Sequence, residues 1–307
     1  MRNVCLLAFL FFAFQGFSQE RYEYVYRNPS DSTFNCYLKH YPEGEIKGLV
    51  VRDYTNLYDA STKSPYAFLG HCLDQGLMVL VTNTSTIFPE LFASDQVMLR
   101  LDSMIQKVVI EHSIPEENIF IGGISASGAR ALRFAEFSAQ GKSKTKINGV
   151  FAVDSPLDLE RFYKSARDHK HNFKAGMLWE AEYMVPYFDS LFGGSPEMYP
   201  EAYVNASVFS EQDSLGGNAQ YLKNTSIMMF HEPDMDWWIN ERGASYFDIN
   251  SYDLARLNVL LNRLGNSDVT LITSTGLGFN RKGERNCHSW TIVDELMLVD
   301  WMVERLK

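Results

Sequence analysis

Cysteine is scarce in this chain: four residues in 307, one of them, Cys5, inside the first apolar run. The other three, Cys36, Cys72 and Cys287, form no paired metal spacing and no disulfide framework. They are expected as buried small hydrophobes. No HExxH motif or Cys/His cluster occurs, which disfavours a metal-dependent enzyme; no metal site and no other cofactor is expected. Positive charge is also short, with 28 Lys and Arg against 38 Asp and Glu and a net charge of −10. That balance argues against nucleic acid or an anionic membrane as partner. Long apolar runs are missing too. The first, residues 4 to 17, falls below the ~20 residues that a spanning helix needs, and no later segment comes closer. Internal repeats are absent, which excludes an additional propeller built from short repeated strands.

What is present begins with a leader pattern. Arg2 precedes the apolar run, and Gly16, Phe17 and Ser18 end it, so residues 1–18 read as a signal peptide cut after Ser18. The mature chain is expected to be secreted or periplasmic. Residues 19–307 suffice for one catalytic domain with one large core.

Residues 20 to 27 and 33 to 41 alternate in polarity around a turn at 28–32, which predicts an opening antiparallel hairpin. Beyond Gly48 the pattern changes to short continuous apolar runs at 49–51, 77–82, 119–124, 147–153, 226–230 and 269–272. Strands of this kind need a sheet covered on both faces. Helical spacing separates them: Val97, Leu101, Met104, Ile105 and Val108; Leu254, Leu257, Leu261 and Leu264; and, over 288–307, Ile292, Leu296, Val299 and Met302. The expectation is a doubly wound, mostly parallel α/β sheet. One interval, about 158–221, is too long for a single crossover and is rich in aromatics, among them Phe162, Phe173, Trp179 and Tyr203. It predicts a helical cap insertion over the carboxyl edge of the sheet.

Chemistry concentrates at Gly122-Gly123-Ile124-Ser125-Ala126-Ser127-Gly128, where an apolar strand runs through a serine into a helix-like stretch. A serine on so sharp a turn projects its hydroxyl beyond the sheet and demands small neighbours two residues away on each side. Gly123 and Ser127 meet that demand. Ser127 itself, flanked by Ser125 and Ala129, is the alternative register. The Ala126 N–H, opening the helix, is positioned to hold an oxyanion. This stretch resembles the G-x-S-x-G nucleophile elbow of the α/β-hydrolase superfamily, with Ser127 in the second glycine position. That superfamily's order is Ser, then Asp or Glu, then His.

The resemblance implies His288, before the last helical segment, as general base, and an acid after the strand ending at Phe230. The loop there offers Asp234, with Asp236 and Glu232 as alternatives. A second oxyanion donor is expected after the first parallel strand, at Asp53 or Tyr54, although the HGGG run of many lipases and esterases is missing. Expected substrate contacts are Asp154 and Ser155 at the carboxyl edge, with Trp237 and with Arg285, the last suited to an anionic group. His40, His71, His112, His169 and His171 carry no partner pattern, and His231, beside the acid loop, is expected to shape the pocket.

The motifs GGISASG, HEPDMDWW and NCHSWTIVD are similar to those of exported bacterial α/β-hydrolases of esterase type. The resemblance covers residues 48–307 and implies a serine hydrolase that cleaves a small-molecule or carbohydrate-linked ester through an acyl-enzyme. The alternatives are a serine peptidase of the same fold and a non-catalytic binding protein built on that fold.

Overall fold

The computed structural model describes residues 22–28, 30, 35–53, 67–85 and 91–307. The expected signal segment 1–18 and Tyr54 lie outside the described residues.

Eight strands form one sheet: β1 (Tyr22–Tyr26), β2 (Cys36–His40), β3 (Gly48–Asp53), β4 (Leu77–Asn83), β5 (Ile119–Ile124), β6 (Gly149–Val153), β7 (Ser226–His231) and β8 (Val269–Thr273). Their spatial order is β1-β2-β4-β3-β5-β6-β7-β8. β1 and β2 pair antiparallel, as the alternating hairpin pattern predicts, and β2 joins β4 antiparallel. Every other pairing is parallel.

The helices are α1 (Phe68–Asp74), α2 (Asp95–His112), α3 (Ala126–Ala139), α4 (Leu159–His169), α5 (Ala175–Phe192), α6 (Pro200–Ala206), the single turn α7 (Met235–Trp237), α8 (Asn250–Arg263) and α9 (Glu295–Val303). Successive strand residues face opposite sides of the sheet. Leu49 and Val51, Met78 and Leu80, and Ile119 and Ile121 therefore join Leu101, Ile105, Leu132 and Leu257 from α2, α3 and α8. Val50, Val79, Phe120 and Phe151 join Phe68, Leu298 and Met302 from α1 and α9 on the other side. Both faces are apolar because both are covered, which is why these strands read as unbroken hydrophobic runs. Cys36, Cys72 and Cys287 are buried free thiols.

The end of the chain differs from its periodicity. In place of one helix from 288, a 3₁₀ turn at Trp290–Ile292 precedes α9, and Leu296 is exposed. Asp294 accepts a hydrogen bond from Met297 N–H at 2.9 Å and starts α9 there. A capping carboxylate satisfies an otherwise orphan N–H and so fixes a helix start that periodicity alone does not mark.

Two buried ion pairs tie helices to the carboxyl edge. Arg130 of α3 donates from Nε to Asp53 Oδ2 at 2.8 Å, at the end of β3, and Thr82 and Thr84 hydroxyls bind the same carboxylate at 2.7 and 2.8 Å. Arg161 of α4 grips Asp253 of α8 with two bonds of 2.7 Å. Asp253 Oδ2 also receives Leu157 N–H at 2.8 Å, so the chain leaving β6 is pinned where the long interval between β6 and β7 begins. Breaking a buried pair leaves the surviving charge without compensation. Arg130→Met should lower unfolding stability by about 3–5 kcal/mol, read as a shift in denaturant midpoint without a change in slope.

Candidate active site

Ser125 occupies the turn between β5 and α3 with φ 57° and ψ −130°. Left-handed φ is costly for a residue with a Cβ, and such strain persists only where the surroundings fix it. Here they do. Ser125 N–H donates to Val153 O at 2.8 Å, and its carbonyl accepts from Gly128 and Ala129 N–H at 3.0 and 3.1 Å. The glycines are forced by contact: a Cβ on Gly123 would stand 2.6 Å from Ser127 Cβ, and one on Gly128 would stand 2.1 Å from Ser155 Oγ. Ser125 holds the N-cap position of α3, yet its hydroxyl caps nothing. Its side chain instead lines a cavity of about 300 Å³ that His288 also lines. Ala126 opens α3, so its N–H belongs to the first turn, where no intrahelical acceptor exists.

The acid partner is a correction to the sequence expectation. His288 Nδ1 lies 2.6 Å from Oδ2 of Asp154, not of Asp234. The reason is sheet order. β6 is the immediate neighbour of β5, with Ile124 opposite Val153, so the residues that follow these two, Ser125 and Asp154, leave the sheet side by side. β7 is one strand further away. Asp154 has φ 40°, its N–H donates to Phe230 O at 2.9 Å, and Asn250 holds its carbonyl at 2.9 Å. It is 1% exposed, so its charge faces His288 through little solvent.

The three carboxylates after β7 do something else. Asp234 caps α7 by accepting from Trp237 N–H at 3.1 Å and pairs with Arg285 at 2.9 Å. Asp236 is exposed. Glu232, 1% exposed, accepts the backbone N–H groups of Gly276, Leu277 and Gly278 and the Arg285 guanidinium. It thereby grips the loop that carries His288. Arg285, expected at the substrate, is consumed by this internal network. Glu232, Asp234 and Cys287 also form a cluster of metal-ligand type. Arg285 already bridges its two carboxylates, and burial pushes the Cys287 thiol up to about 12, so an ion pair suits these residues better than a cation site.

The other expected substrate contacts also move. Ser155 is fully buried, donates to Val153 O at 3.1 Å, and packs against Gly128. Trp237 is buried edge-on to Trp238 at 4.9 Å, and Trp238 is the one that lines the cavity. His231 is buried with Nε2 2.7 Å from Thr273 Oγ1. Burial lowers its pKa, partly opposed by the Asp154 charge. Asp53, the other candidate donor after β3, closes that strand opposite Thr82, and its carboxylate serves the Arg130 network.

The cavity walls come mainly from the segment between β6 and β7: Phe162, Ser165 and Ala166 of α4, then Phe173, and Met177, Trp179 and Glu180 of α5. A π-helical turn, Trp238–Arg242, completes them with Trp238 and Arg242. Single π turns recur at functional sites because they re-aim side chains that an α-helix would bury.

The sequence matches no protein-family model and no curated protein sequence. Its structure is similar to esterase B of Lactobacillus rhamnosis, with TM-score 0.58 and 12% identity over 93% of this chain and 87% of that one. It is also similar to carboxyl esterase 2 of Tuber melanosporum, with TM-score 0.51 and 13% identity over 89% and 81%. A third likeness is to the acylaminoacyl peptidase of Pyrococcus horikoshii, with TM-score 0.53 and 13% identity over 89% of this chain and 39% of that one. The fold is the α/β-hydrolase fold. No helix among the described residues is long and apolar enough to cross a membrane.

Burial alone would lower the His288 pKa, but the Asp154 hydrogen bond and charge, with the Glu180 charge, carry it above 6.5. Imidazole resonances followed by NMR should therefore titrate His288 above 6.5 in the wild type. Asp154→Asn should bring that midpoint down, and Asp234→Asn should leave it where it is.

Proposed function

We propose that the protein is a serine hydrolase that cleaves carboxylic esters through an acyl-enzyme. The observation that carries this reading is the contact of His288 Nδ1 with buried Asp154, at the mouth of the cavity lined by strained Ser125. In this reading Ser125 Oγ attacks the ester carbonyl while His288 Nε2 takes its proton. The tetrahedral oxyanion falls on the Ala126 N–H and on a second donor after β3, for which Tyr54 is our candidate. Collapse expels the alcohol, which leaves with the proton returned by His288. Water, deprotonated by the same nitrogen, then hydrolyses the acyl-serine. Asp154 holds the tautomer that keeps Nε2 free and stabilises the imidazolium; it does not take the proton.

The esterase character of similarly folded proteins supports ester cleavage. The aromatic walls from α4 and α5 suit an acyl group of modest size in a cavity of about 300 Å³. The segment around 158–221 acts as the cap that selects the substrate. The leader pattern supports action outside the cytoplasm after loss of residues 1–18, and the mass of the mature chain from its native host tests that cut.

Fluorophosphonate should label the wild type and Ser127→Ala but not Ser125→Ala. An unlabelled, folded wild type would instead favour a binding protein on this fold. In a p-nitrophenyl ester series from acetate to octanoate, Asp154→Asn should cut kcat by about 10⁴ at neutral pH, and Asp234→Asn should retain most activity. Since only neutral His288 can accept the serine proton, activity should fall as the pH drops through its raised pKa. The acid limb of kcat/KM for the wild type should thus lie above 6.5.

A further inference from the structure

Four ionisable side chains line the cavity: His288, Asp248, Glu180 and Arg242. Two have partners within the fold. His288 faces Asp154, and Asp248 binds Ser165 Oγ at 2.7 Å, His169 Nδ1 at 2.6 Å and Ser245 Oγ at 2.6 Å. Glu180 and Arg242 are different. Neither forms a hydrogen bond or ion pair through its side chain with the described residues, and they do not pair with each other. Their surroundings are largely apolar: Phe162, Phe173, Met177, Trp179 and Trp238.

Opposite charges sharing an apolar cavity attract strongly, so a fold that keeps them apart must hold at least one in place. Arg242 is held. Its guanidinium lies 4.8 Å over the Trp237 ring, and its carbonyl accepts from Lys174 N–H at 2.9 Å. The π-helical turn that presents it ends at Gly243, with φ 67°, where a Cβ would stand 1.9 Å from Asn172 O. That close approach fixes the turn against the segment leading into α5. Glu180 sits on α5 itself. The two charges thus stand on separate elements of the cavity wall, Arg242 on the π-helical turn and Glu180 on α5, without pairing to each other.

We infer that this cavity takes a small dipolar ligand, with a cationic group such as an ammonium at Glu180 and an anionic group such as a carboxylate at Arg242. The acyl compounds cleaved at Ser125 belong to the same class; this second statement rests on the proposed hydrolase reading, and the first does not. A neutral ligand would leave both charges desolvated and unpaired, and a singly charged one would satisfy one and face repulsion from the other. A dipolar ligand satisfies both. The two residues also act on His288 in opposite senses, Glu180 favouring its protonated form and Arg242 opposing it. Burial raises the Glu180 pKa, and an ammonium beside it restores the ionised carboxylate.

The test is calorimetric titration of the whole protein with ω-amino acids from 4-aminobutyrate to 8-aminooctanoate, beside the amine and the carboxylate of each length. The best ω-amino acid should bind at least about tenfold tighter than its matched amine or carboxylate, the size expected for one added charge-assisted contact. Glu180→Gln should erase its advantage over the carboxylate, and Arg242→Gln its advantage over the amine, each in protein whose melting confirms folding. Equal binding of amine, carboxylate and amino acid, an advantage that survives both substitutions, or binding of none of them, would overturn the inference. The same titrations with Ser125→Ala need no turnover. Dipolar preference without fluorophosphonate labelling would sink the hydrolase reading alone, and labelling without dipolar preference would sink this inference alone.

Discussion

One backbone hydrogen bond, from Ser125 N–H to Val153 O at 2.8 Å, organises the site. It extends the β5–β6 ladder one residue past the last paired position, at the point where both strands leave the sheet. Beyond it the chain must turn on both sides, and both turns use left-handed backbone at residues that carry side chains, Ser125 at φ 57° and Asp154 at φ 40°. The strain is a local cost of about 1–3 kcal/mol for each residue. It is sustained by the helix packed behind one turn and by the Phe230 and Asn250 contacts on the other. A hydroxyl and a carboxylate leave adjacent strands in this way, and His288 is brought to that edge from a distant loop.

Much of this was legible in the residues. Continuous apolar runs bounded the parallel strands closely, since burial on both faces leaves no polar alternation to misread. The elbow announced itself because only small residues survive where strand and helix nearly touch, as the would-be clashes at Gly123 and Gly128 display. His288 stood out by its place before the last helix. The acid did not. Three carboxylates crowd the loop after β7, and nothing in their spacing distinguishes a carboxylate that orients a histidine from one that caps a turn or grips a loop. The decisive fact is which strands are neighbours, and strand adjacency is a property of the sheet. A trace existed in Asp154, which directly follows an apolar strand, but Glu232 follows β7 just as directly, so the strand exit alone does not choose between them.

The arginine expectation failed for a related reason. Sequence offers Arg281, Lys282 and Arg285 near His288, and proximity in the chain suggests a shared task. In the fold Arg285 turns away to Glu232 and Asp234, and the cation at the cavity is Arg242, more than forty residues earlier, presented by a π-helical turn that no periodicity marks. Trp237 and Trp238 exchange roles by the same geometry: one becomes the platform under Arg242, and the other becomes wall.

Glu232 reaches the histidine loop through main-chain amides of residues 276 to 278, and Gly278 fits only because a Cβ there would meet Asn286 O at 2.5 Å. Apart from the glycines at 276 and 278, a grip on backbone demands little of side-chain identity. The exposed tip beyond it, residues 280 to 284, closes on itself through Asn280 and Glu284. That tip can therefore vary in length as well as in chemistry while Glu232 keeps its hold on the loop that carries His288. Variation is thus open close to the site in the chain, where the pairing of His288 with Asp154 is not.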